Sequence, residues 1–139
     1  MTAAKTLELS LIVAGLLHLA ITSAGLVMTL VLDWRKNLTP LCALTRHIIW
    51  THGAFVLLTI VAFGVVSLAF PHALASGEPL ARAICGFIAT FWAIRLFIGF
   101  FLFDAAPHLT HMSLKLGYHG LTVVFSFFVL CYGAAAVMV

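Results

Sequence analysis

Four stretches of this chain carry almost no strongly polar side chain: Leu9 to Leu32, Ile48 to Phe70, Ala83 to Phe103, and Leu116 to Val139. Each matches or exceeds the roughly 20 apolar residues with which a helix crosses a hydrocarbon layer about 30 Å thick. Short polar segments separate them. The first, Asp33-Trp34-Arg35-Lys36-Asn37-Leu38-Thr39-Pro40, ends in a Thr-Pro pair that suits a helix start near Pro40. Pro71 to Pro79, with Ser76-Gly77-Glu78, reads as a second loop, and Asp104 to Thr110, with Pro107, as a third. The pattern predicts an all-α integral membrane protein, a four-transmembrane-helix bundle with short loops and both termini on the same side. It forms a single domain, 1–139, with helices at about 7–32, 42–70, 81–103 and 111–138. The first run is longer than the roughly 7–15 residues of a signal-peptide core, so it is expected to stay in the protein.

Composition removes the alternatives. Hydrophobic residues make up 64% and charged residues 8%, against roughly 45–50% and 25% in soluble domains, and the mean hydropathy is +1.22. A soluble globule, a disordered tail and a nucleic-acid binder all need more exposed charge than this. The net charge of +3 bears on orientation instead. Arg35, Lys36, Arg46 and Lys115 flank loops one and three, while Lys5 and Arg82 lie opposite, which by the positive-inside rule puts loops one and three in the cytoplasm. Cys42, Cys85 and Cys131 show no C-x-x-C spacing, and are expected as small packing residues in helices rather than a disulfide framework. No phosphate loop, G-x-S-x-G elbow or H-E-x-x-H motif is present.

The chemistry must therefore come from ionisable groups at membrane depth, where they are costly and tend to mark sites. These are His18, His52, Arg95 and His119. His52 lies about 6 Å below the start of the second run and His119 about 5 Å below the start of the fourth, so the two imidazoles share a depth. Each is followed by glycine, Gly53 and Gly120, which leaves room for a flat group. Two imidazoles facing each other across a bundle are what a low-spin haem iron takes as axial ligands. Arg95 has no acid within the four runs and would meet a haem propionate or a polar quinone head group. On His52, His119 and Arg95 the chain is similar in outline to membrane b-type cytochromes. That resemblance implies one haem b between helices two and four and electron exchange with quinol.

Other readings stay open. His18 would serve a second haem, a quinol pocket or simple helix packing, but the third run offers no histidine to complete a second haem site. His47, His52, His108, His111 and His119 gather on one side, with H-x4-H and H-x2-H spacings that look like the histidine boxes of membrane hydroxylases and desaturases. They lack the adjacent His pairs of those enzymes; three such imidazoles would suit a copper, zinc or iron site. The alternative from a different class is a non-redox accessory subunit or small transporter, in which the polar residues hold helices together. With so little mass outside lipid, every reading expects the bilayer and other membrane subunits, or self-association, as partners.

Overall fold

Helix formation in lipid is imposed by the solvent, because backbone N–H and C=O groups find no water there and must bond within the segment. The computed structural model describes residues 1–102 and 111–138, and among these the only regular elements are helices. They are α1 (Ala3–Val31), α2 (Trp34–Leu38), α3 (Ala43–Ala69), α4 (Pro71–Leu74), α5 (Pro79–Phe101) and α6 (Met112–Val137). α1, α3, α5 and α6 are each long and apolar enough to cross a membrane. The bounds follow local chemistry. Thr2 caps α1 by accepting from the Lys5 amide, and Pro79 opens α5, where its missing N–H costs nothing. One expected start moves. Thr39 does not open α3; its hydroxyl donates to the Arg35 carbonyl at 2.7 Å, closing the short α2, and α3 begins at Ala43 with Cys42 as N-cap. Cys42 is thus an exposed loop thiol rather than a packing residue, whereas Cys85 and Cys131 are buried in helices.

Polar and amphipathic contacts mark the two membrane faces. On the side of the termini, His72 lies 3.6 Å from Glu8. On the side of loop one, the rings of Trp34 and Trp50 meet at 5.9 Å, in the manner of an interfacial aromatic belt. From Trp50 to Ala69 α3 rises about 28 Å, close to the hydrocarbon thickness.

The bundle is two hairpins joined at one end. α1 packs on α3 through glycine. A side chain at Gly64 would meet the Gly15 carbonyl at 3.1 Å and the His18 β-carbon at 3.1 Å, so glycine allows this close approach without displacing either. Higher up, Gly25 faces Leu57 of α3. α5 packs on α6, where Arg82 Nε donates to the Ala136 carbonyl at 2.7 Å and the Tyr118 hydroxyl to the Gly99 carbonyl at 3.3 Å. The hairpins meet on the termini side: Phe63 packs edge-on against Phe87 and Phe91, Ser67 bonds Tyr132, and the Cys85 thiol reaches the Leu74 carbonyl. Every buried residue of the long helices lies in that half. None of residues 19–31, 43–59, 93–102 or 111–124 is buried, so the loop-one half of the bundle is open.

The glycine contact gives the first prediction. Gly64→Ala places a methyl against backbone that cannot yield, and should cost about 1–3 kcal/mol of overpacking. A lower unfolding midpoint in detergent, with helix content retained, is the expected result; an unchanged midpoint would mean the hairpin does not depend on this approach.

Candidate functional site

His18 is the polar centre of the closed half and is fully buried. Its helix supplies one partner, since Nδ1 lies 2.7 Å from the Ala14 carbonyl one turn below. A carbonyl only accepts, so Nδ1 carries the proton and donates. The Trp92 indole N–H of α5 donates to Nε2 at 3.0 Å, which fixes the neutral tautomer with both ring nitrogens engaged. Aromatic faces close the rest. Phe128 stacks on the imidazole with centroids 4.0 Å apart and planes 19° apart, while Phe63 and Tyr132 meet it edge-on. Beside this node the Tyr132 hydroxyl bonds Ser67. Among the described residues no buried side-chain nitrogen or oxygen is left without a partner.

This geometry bears on the expectations for His18. A second-haem ligand needs an available nitrogen lone pair, and the one on Nε2 is taken by Trp92. The contacts described are those of helix packing. The Tyr132–Ser67 pair beside it and the hydrogen-bonding role of Trp92 carry no expectation from sequence. The signal was there, because an indole or phenol deep in an apolar run carries a polar tip that lipid cannot satisfy.

His52 and His119 stand at similar heights, about 16 Å above Phe63 and about 14 Å above Phe128 respectively, but they face different ways. On α6, His119 belongs to the stripe of Leu116, Val123 and Leu130, whose exposures are 66%, 69% and 72%. At about 100° per residue this stripe is opposite Phe128 and Tyr132, so His119 looks outward. His52 is also exposed, and its Nδ1 lies 2.9 Å from the Ile48 carbonyl of its own helix. It shares a stripe with Val56, Thr59 and Phe63 on the face of α3 that turns toward α5. By helix register, His52 thus falls on the face of α3 toward α5 and His119 on the outer face of α6.

Arg95 lies in the open half, about 4–5 Å above Trp92 along α5. Its guanidinium carbon is 5.7 Å from the centre of the Phe125 ring. The side chain runs toward loop three, since Nη1 is 3.8 Å from where a Gly99 side chain would begin. It edges a groove of about 50 Å³ between α5 and α6, lined also by Gly99, Tyr118, Leu121, Thr122 and Phe125. Among the described residues the remaining histidines do not assemble. His47 is exposed in the first turn of α3, five positions from His52, which is about 140° around the helix. His111 is the exposed N-cap of α6, and His108 lies outside the described residues. Among the described residues no group of three or more His, Cys, Asp or Glu is placed to hold a metal ion.

The His18 node can be tested by Trp92→Phe, which keeps a ring but leaves Nε2 unpaired at membrane depth. An unsatisfied buried acceptor costs about 1–3 kcal/mol, so unfolding in detergent should shift by at least that amount. Retention of full stability would show that the indole hydrogen bond does not hold the hairpins together. Comparison of the chain with protein-family models, with curated proteins and with solved structures finds no match in any of the three.

Proposed function

We propose that this chain is a non-redox membrane subunit that assembles with a second membrane polypeptide, one of whose helices enters the opening between the two hairpins. The observation that carries this reading is the stripe His52, Val56, Thr59 and Phe63. Phe63 is buried against α5, and the three residues above it continue the same face without burial. Apolar side chains facing lipid need no cover, because acyl chains solvate them as well as leucine does. The Thr59 hydroxyl is met within α3, where it donates to the Phe55 carbonyl at 2.9 Å, but an imidazole has a second ring nitrogen, and at membrane depth it favours contact with another helix over contact with lipid. The closed half, with its internal hydrogen bonds complete, then serves as the rigid base that holds the opening apart.

The haem reading is supported less well. It needs His52 and His119 on one iron, and the outward stripe of His119 favours a lipid or protein neighbour outside the chain. A haem or quinone role therefore ranks second, and it has a direct signature. In this proposal loops one and three face the cytoplasm, as the basic residues around them favour.

Photo-crosslinking residues placed at Val56 and Thr59 in membranes should yield adducts with a membrane polypeptide, whereas the same probe at Val123 or Leu130 should not. Labelling confined to lipid at Val56 and Thr59 would overturn the assembly reading, and a haem absorption band lost in both His52→Ala and His119→Ala would restore the cytochrome. Sidedness has its own test at Cys42. The Thr45 hydroxyl, 3.0 Å from the sulfur, lowers the thiol below its usual range, helped by backbone amides of the first turn of α3 and by Arg46. The thiolate therefore persists to lower pH than in an ordinary cysteine, and alkylation falls off only as pH drops through that lowered value. A membrane-impermeant maleimide should label Cys42 from the cytoplasmic face alone; labelling from the other face would reverse the orientation.

A further inference from the structure

The chain builds the same histidine arrangement twice. His18 Nδ1 lies 2.7 Å from the Ala14 carbonyl and His52 Nδ1 lies 2.9 Å from the Ile48 carbonyl, in each case one turn back on the same helix. A carbonyl only accepts, so in both neutral rings the proton sits on Nδ1 and the lone pair is left on Nε2. At His18 that lone pair takes the Trp92 indole N–H at 3.0 Å. At His52, among the described residues, no donor reaches Nε2.

The position of the ring limits what can supply one. His52 lies two residues below Trp50, about 3 Å inside the aromatic belt, at the head of the stripe that runs through Val56 and Thr59 to Phe63, where the face meets α5. The Thr59 hydroxyl has already given its proton to the Phe55 carbonyl, and Val56 and Phe63 are apolar. The imidazole lone pair is therefore the group on this stripe that fixes the register of an incoming helix. We propose, resting on the assembly reading above, that the partner helix carries a side-chain N–H or O–H donor, an indole, amide or hydroxyl, that bonds His52 Nε2 as Trp92 bonds His18. A carboxylate does not fit the neutral ring because it only accepts, and a wholly apolar helix leaves the lone pair unmet. Interfacial water is the competing donor.

Crosslinking from Val56 in membranes, with the chain below saturation and the adduct peptide sequenced, identifies the partner segment and its donor. One interhelical hydrogen bond in lipid corresponds to about a threefold to tenfold change in association, so His52→Leu should lower the adduct yield by that factor. His52→Gln, whose amide oxygen accepts, should retain most of it. Replacing the partner's donor by its nearest apolar counterpart should match the loss in His52→Leu, and the two changes together should cost no more than either alone. Circular dichroism verifies that these variants, altered at an exposed position, keep their helix content. If the unaltered chain gives no adduct, the assembly reading and this inference fall together. If it gives one and His52→Leu leaves the yield unchanged, the assembly reading stands and the donor is overturned. A loss as large in His52→Gln as in His52→Leu also overturns it, as does strict additivity with the partner's replacement, the result expected where water meets Nε2.

Discussion

A polar atom placed among acyl chains must find its partner inside the protein, and in this chain that constraint is met by one imidazole. His18 gives its proton to the carbonyl one turn below and receives the indole proton of Trp92 from the other hairpin. Hydrophobic burial cannot hold two apolar hairpins together in a medium as apolar as they are. Directed hydrogen bonds, ring contacts and close packing do so instead, and they gather around this residue. The Ser67–Tyr132 bond and the Phe63 contacts with α5 continue the same join.

Closing one end leaves the other free to differ. Within each hairpin the helices stay paired to the far side, through Gly25 and Leu57 in one and Gly99 and Tyr118 in the other. Among the described residues of that half no side chain is fully buried. The difference therefore runs along the membrane normal, between a half built around the buried His18 and a half in which His52 lies on an exposed face.

The four crossings were legible in the sequence because lipid dictates segment length, and the long helices begin within a few residues of the expected positions. The short helices α2 and α4 were not, since four or five residues carry no periodicity to read. The depth of His52 and His119 followed from counting, but their direction did not. An amphipathic helix announces its buried face by contrast with its polar one; here Leu116, Val123 and Leu130 on the outer face are as apolar as Phe128 on the inner one. Without that contrast the rotation of each helix is set by shape, such as the Gly15 and Gly64 approach, and by polar tips like that of Trp92.

The bond between His18 and Trp92 joins residues 74 positions apart, and that separation has a temporal side. At ribosomal rates of 5–20 residues per second, the indole is made roughly 4–15 s after the imidazole. During that interval the rest of the first hairpin is synthesised with Nε2 lacking its eventual donor. A nascent chain stalled before α5 would thus expose an acceptor to the insertion machinery or to lipid, a chemical marker of unfinished synthesis that completion of the bundle erases.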